Sequence, residues 1–310
     1  MKYIEFINNL IKEKVSKEEK IVVYGQNINA GSCLGGLTKD LAVGKQGKII
    51  NSTNSENTLC GFGFGLMMNG ISSVFFMKQL DFLLLGIDHL VNTFNIIRNS
   101  EFKNSSSFTI FPITVDNGYQ GPQSSLNNFA DFCSIAKVSG YTITNKIDAE
   151  RIISSKLISP GFRIISVSQR LFKEEIIEPA ELLYTDNNTI FQYSKGNDVT
   201  LVCFNFSFPY GWSLYNELKK NGMSVSFFNV NSPTPTNWDK ILSDIRQTQK
   251  LIVIDDSKSE NVACDSLIAS VAGTIQKKLV IKRILSNDWL NPVSDKMEID
   301  NDQILNELIN

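Results

Sequence analysis

Histidine is almost absent from this chain, one residue (His89) in 310, and that scarcity excludes most imidazole chemistry. A triad or an imidazole relay would have to use His89, which lies in the apolar helical stretch GIDHLVN, where a structural role is the simpler reading. If the chain is an enzyme, its difficult chemistry belongs to a cofactor. Cysteine is sparse too. Cys33, Cys60, Cys133, Cys203 and Cys264 are scattered without a CxxC pair, so neither a zinc cluster nor a disulfide framework is expected, and a reducing cytoplasm fits. No apolar run approaches the roughly 20 residues of a membrane span. The opening MKYIEFINNLIKEKVSKEEK carries charges throughout and no apolar signal core, so no secretion signal is expected in it. A soluble cytoplasmic protein is the resulting expectation. Thirty basic and 32 acidic residues give a formal charge of −2 with no basic arm, so nucleic acid is not an expected partner. Lys277, Lys278, Lys282 and Arg283 flank the apolar LVI and read as the soluble border of a buried strand. Phosphate-loop (GxxxxGKS/T) and HExxH signatures are missing as well.

What is present is enough apolar residue, 42%, to bury one large core or two ordinary ones. Tyr3, Phe6, Ile7, Leu10 and Ile11 recur at helical spacing and predict an amphipathic first helix. A strand suited to burial on both faces is then expected at IVVYG (21–25), a short β-branched run closed by Gly25, and further strands at KII (48–50), SVFFM (73–77), SFTIFPIT (107–114), YTIT and FRIISV (162–167). Helices are expected between them: from Asn57, along one long stretch from Phe82 to Arg98, from Asn128 to Ala136, and on DAERIISSKLI. The pattern loosens over Leu171 to Asn197, which reads as connecting structure with a hairpin. Alternation then resumes through VTLVCFNF, SVSFFNV, KLIVIDD and LVIKRIL with helices between and a terminal helix. The fold class is therefore α/β, in two domains, 1–180 and 181–310, each a mostly parallel sheet flanked by helices.

Candidate chemistry is thin. The run GFGFGLMMNG is not GxGxxG, because its third glycine comes one residue early, so a dinucleotide or nucleotide site is a minor alternative. Glycine costs about 1 kcal/mol relative to alanine inside a helix, so Gly61, Gly63 and Gly65 imply something packed very close to that backbone. Two occupants stay open: a neighbouring helix, or a cofactor or subunit. Glu56 stands at the start of the same helix, where the helix dipole alone would favour a carboxylate.

Taken together, MKYIEFINNLIKEKVSKEEKIVVYGQNI, SENTLCGFGFGLMMNG, MKQLDFLLLGIDHLVN and NDVTLVCFNF resemble, in order and spacing, the beta subunit of the 2-oxo acid dehydrogenase decarboxylase component. The resemblance runs from the first helix to the last. More distantly the chain is similar to the pyrimidine-binding and carboxy-terminal domains of transketolase and deoxyxylulose phosphate synthase. The resemblance implies a thiamine diphosphate enzyme. On it, Glu56 matches the glutamate that hydrogen-bonds the cofactor's aminopyrimidine ring, favouring the imino tautomer whose nitrogen deprotonates the thiazolium carbon to its ylide. Such a carboxyl should lie in an apolar pocket that favours its protonated form, and Leu59, Phe62 and Phe64 are nearby in sequence. Phe82 falls where the family stacks an aromatic ring on the pyrimidine; without Glu56 it would read equally well as a core residue.

Two departures qualify this. The loop DNGYQGPQSSLNN has Ser124, followed by Ser125, where relatives carry a substrate-facing histidine, and YGQN places Gln26 and Asn27 where relatives commonly have acidic residues. A serine does not act as an acid or base near neutral pH unaided, so proton transfers must come from a partner, the cofactor or water. There is also no GDG followed downstream by Asn, the arrangement that holds Mg²⁺ and the cofactor's diphosphate in this family. The resemblance therefore implies an alpha-type partner subunit carrying that half of the site, in an α2β2 heterotetramer. The expected reaction is decarboxylation of a 2-oxo acid with acyl transfer. The alternatives are a split transketolase moving a ketol unit between sugars, and a non-catalytic assembly paralogue.

Overall fold

The computed structural model describes residues 1–100, 105–116, 127–234, 236–259, 261–273, 275–283 and 297–309. Its first sheet is wholly parallel, in the order β2-β1-β3-β4-β6-β5. The strands are β1 (Ile21–Gly25), β2 (Lys48–Asn51), β3 (Ser72–Met77), β4 (Ser107–Thr114), β5 (Gly140–Ile143) and β6 (Gly161–Ser168). The near-continuous apolar sequences of β1, β3, β4 and β6 follow from burial on both faces, whereas β2, at the sheet edge, is largely exposed. Alternation decides the face: Val74 and Phe76 of β3 join the core under α1 (Tyr3–Ser16) and α5 (Lys146–Lys156), whereas Phe75 and Met77 join the core under α2 (Glu56–Met68). The apolar stripe of α1 is fully used, with Tyr3, Ile7 and Ile11 buried and Phe6 and Leu10 packed beside them.

The second sheet has the order β12-β11-β9-β10-β8-β7. Its parallel part is β9 (Val199–Phe204), β10 (Val225–Val230), β11 (Lys250–Asp255) and β12 (Lys277–Lys282). β7 (Tyr184–Asp186) and β8 (Ile190–Ser194) form an antiparallel hairpin added at the edge of β10. Asn187 and Asn188 turn that hairpin at φ of 47° and 63°, the left-handed geometry that tight hairpins require and asparagine tolerates. The loosened sequence is thus part of the second sheet, and the chain passes from one sheet to the other between Ser168 and Tyr184. Helices α6 (Phe208–Lys220), α7 (Asp239–Thr248), α8 (Asp265–Ser270) and α9 (Asn301–Ile309) complete this half. One apolar core runs continuously from Phe111 and Ile165 of the first sheet to Phe191, Leu201 and Phe227 of the second.

Two local expectations are corrected. The stretch expected as one helix from Phe82 to Arg98 is three pieces: a 3-10 turn over Leu80–Gly86, a π-helical turn over His89–Thr93, and α3 (Phe94–Asn99), with a 67° bend after the first. Contacts with α2 at Gly86 and His89 govern its path, and such contacts override helical propensity. The basic-bordered LVI is an outer strand, β12, whose Leu279, Val280 and Ile281 are only half-buried. Among the described residues no single helix is long and apolar enough to cross a membrane.

Candidate functional site

The first sheet reverses its winding beside β1. From β1 the chain steps to β2 on one side, then crosses back to β3 on the other, and the crevice at the carboxyl ends of strands at such a reversal is where open α/β sheets bind ligands. Glu56 opens α2 directly after β2, and Phe82 lies in the 3-10 turn directly after β3, so both belong to this crevice. Both are half-buried. The Glu56 carboxylate makes no hydrogen bond or ion pair among the described residues. Ser55, at the helix N-cap, gives its hydroxyl to Thr58 (2.8 Å) and makes no cap, so Glu56 is the acidic group left facing the uncapped helix start.

Two of the three glycines in α2 are explained inside the chain. A Cβ on Gly63 would stand 2.3 Å from the Phe108 ring and 2.5 Å from the Tyr24 hydroxyl; one on Gly61 would stand 2.9 Å from the His89 ring. Tyr24 stacks on Phe75 with centroids 5.1 Å apart and donates to the Leu59 carbonyl at 2.8 Å. Burial pushes its hydroxyl well above its ordinary pKa, so it stays a neutral donor. Gly65 differs, because a Cβ there would meet nothing within 4 Å. One turn away on either side, Phe62 is 41% exposed and Met68 48%. Leu84 and Leu85, on the turn that carries Phe82, are exposed as well. These glycines lie inside a helix rather than in a strand-to-helix turn, which is not the geometry of a dinucleotide phosphate loop.

Near Glu56 in the same two elements, Leu59 and Phe82 are half-buried against the core under α2, and the exposed Phe62 meets the Tyr24 ring edge-on. Phe64 is buried under α2 and packs on Phe94, Phe108 and Phe162. Gln26 bonds its amide to Asn54, two residues before Glu56, and Asn27 takes a left-handed φ of 57°, so the YGQN loop borders the same crevice.

Ser124 and Ser125 lie outside the described residues, but both flanks of their loop are described. Asp116 accepts from Ser168 Oγ (2.7 Å) and the Arg170 amide (3.0 Å). Arg170 lies between two carboxylates, with Nη2 2.9 Å from Asp256 and Nε 3.5 Å from Asp116. Asn127 donates to the Asp256 carboxylate at 3.1 Å and accepts from the Lys258 amide at 3.1 Å. Residues 116 and 127 are thus anchored to the end of β11. Burial, opposed by Arg170 and Arg283, pushes Asp256 up to about 6. A second polar knot joins the halves at Asp148, which accepts from Thr144, Asn145 and, at 2.7 Å, Asn231 of the second half. Neither knot is readable from sequence spacing.

No protein-family model matches the chain. Over 308 aligned residues it is 20% identical to the pyruvate dehydrogenase E1 component subunit beta of Staphylococcus epidermidis, covering 94% of this chain and 91% of that one. The subunit of the same name from Staphylococcus aureus is 18% identical over the same shares. The mitochondrial subunit beta-1 of Arabidopsis thaliana is 22% identical over 278 residues, covering 86% of this chain and 75% of that one. Among solved structures, a split-gene transketolase described as an inactive beta4 tetramer superimposes with a TM-score of 0.62 at 13% identity, covering 90% of this chain and 87% of that chain. That likeness shows the fold, two mostly parallel sheets flanked by helices. Over 94% of its length the chain resembles the beta subunit of the 2-oxo acid dehydrogenase decarboxylase component.

Proposed function

We propose that this chain is the beta-type subunit of a thiamine diphosphate-dependent enzyme that acts on 2-oxo acids, decarboxylating them and passing on the acyl group. The observation that carries the reading is Glu56: a half-buried carboxylate with no hydrogen bond or ion pair among the described residues, set at the winding reversal whose other side carries Phe82. The residues fit the group. When bound, thiamine diphosphate supplies the electron sink that allows a bond beside a carbonyl to break. Glu56 would hold a proton against the nitrogen of the aminopyrimidine ring, and Phe82 would offer a ring face to that same end. Leu59 and Phe62 would exclude water from the carboxyl once a second chain covers them.

The second chain is part of the proposal. Gly65 is open and bordered by exposed Phe62 and Met68, so α2 offers a place where foreign backbone can approach closely. This chain has no GDG motif, so an alpha-type subunit would carry the diphosphate and Mg²⁺. The assembly we propose is an α2β2 heterotetramer in the cytoplasm.

The test is to co-express the chain with a diphosphate-binding partner and measure thiamine diphosphate-dependent carbon dioxide release from 2-oxo acids beside ketol transfer between sugars. Carbon dioxide release supports the proposal. Ketol transfer without it assigns the chain to a split transketolase instead, and an assembly with neither activity assigns it to a non-catalytic paralogue.

A further inference from the structure

Two close approaches between α2 and the segment after β3 are reciprocal. The side chain of Cys60, on α2, enters the space left by Gly86: a Cβ there would stand 2.5 Å from Cys60 Sγ and 3.5 Å from the Glu56 carbonyl. In return the ring of His89 enters the space left by Gly61, where a Cβ would stand 2.9 Å from both Cε1 and Nε2. Cys60 and Gly61 are neighbours on α2, so each element gives one side chain and one glycine to the other. The His89 ring is fixed from behind, because its Nδ1 lies 2.9 Å from Thr93 Oγ1 across the π-helical turn. Such turns gather at functional sites.

Their spacing from the site gives these contacts leverage. Cys60 lies one helical turn after Glu56, a Cβ on Gly86 would stand 3.5 Å from the Glu56 carbonyl, and Gly86 closes the same 3-10 turn that carries Phe82, so the interlock joins the elements of both site residues. Cys60 is buried, and burial together with Glu56 pushes its thiol up to about 12, so it acts as a neutral packing group.

Resting on the reading of Glu56 and Phe82 as cofactor contacts, we infer that this interlock sets the distance between them and that His89 is a positioning residue for thiamine diphosphate. His89 touches neither substrate nor cofactor in this scheme. It wedges the Phe82 segment against α2, and displacing a binding group by about 1 Å can cost up to roughly a hundredfold.

The experiment uses Gly61→Ala, His89→Ala and the double variant, each reconstituted with the partner chain. Thiamine diphosphate affinity is read by calorimetry, and melting temperature and amide hydrogen exchange over residues 80–93 are read on the chain alone. Gly61→Ala is expected to weaken cofactor affinity about tenfold, a change of about 1.4 kcal/mol, and to raise exchange over 80–93. In the His89→Ala background the added methyl has no ring to displace, so the double variant should be no weaker than His89→Ala. Additive losses, unchanged affinity in Gly61→Ala, or losses that merely follow melting temperature overturn the inference. If the wild-type assembly binds no thiamine diphosphate, the proposed function fails, and with it the role of His89 toward the cofactor. Exchange in the isolated chain decides the interlock separately: no change over 80–93 in Gly61→Ala overturns it.

Discussion

Replacing Gly65 by alanine should move two free energies in opposite directions. Inside a helix glycine is about 1 kcal/mol less favourable than alanine, and a Cβ at position 65 meets no atom within 4 Å among the described residues, so none of these opposes the gain. The isolated subunit should therefore become about 1 kcal/mol more stable, which for a chain of this size raises the melting temperature by about 2 °C. The same methyl stands between exposed Phe62 and Met68, where we place the partner chain. Association should weaken about tenfold, since 1.4 kcal/mol is about a tenfold change. Gly63→Ala is the internal contrast. Its methyl would stand 2.3 Å from the Phe108 ring, and overpacking of that kind costs about 1–3 kcal/mol. Calorimetric melting of the isolated chain and sedimentation of the mixed chains read both effects. A Gly65→Ala chain that melts lower than the wild type, or assembles with undiminished affinity, refutes the reasoning.

Other outcomes follow from the buried polar groups. Burial is the largest cause that pushes Asp148 up to about 6, against the hydrogen bonds it accepts from Thr144, Asn145 and Asn231. A carboxyl whose folded pKa is raised binds more protons folded than unfolded, so stability is fullest below about pH 4 and falls as pH rises through about 6, by at most roughly 3 kcal/mol. Asp255 and Asp256, also raised by burial, act in the same direction, so Asp148→Asn should remove part of that slope in urea titrations between pH 4 and 7, and an unchanged slope would discount the group. Arg170→Met leaves Asp116 and Asp256 buried without their shared cation and should cost about 3–5 kcal/mol in chemical denaturation; a loss under 1 kcal/mol would argue against the anchor. Arg163 gives its guanidinium to the carbonyls of Lys156 (3.0 Å) and Pro160 (2.6 Å) at the end of α5, and Arg163→Met should cost about 2–4 kcal/mol, visible as a lower denaturation midpoint.

The strands were the most legible part of the sequence, because IVVYG, SFTIFPIT and KLIVID are buried on both faces and read as short apolar runs closed by polar or small residues. The broken helix after β3 was not legible for the same reason in reverse. FLLLGIDHLVNTFNII is apolar at almost every turn, so periodicity does not separate a straight helix from a bent one, and the path is set by Cys60 and Gly61 on another element. Glu56 could be found as an acidic residue opening a glycine-rich helix, though only resemblance attached a cofactor to it. Asp116, Arg170 and Asp256 carried no local signal: Arg170 is 54 residues from one partner and 86 from the other.

The most direct test of the account is turnover by Glu56→Gln assembled with its partner chain. The substitution keeps the shape and helical position while removing the group that would hold a proton on the aminopyrimidine. Thiamine diphosphate-dependent carbon dioxide release should be lost in an assembly that sediments as the wild type does, whereas release at the wild-type rate would contradict the account.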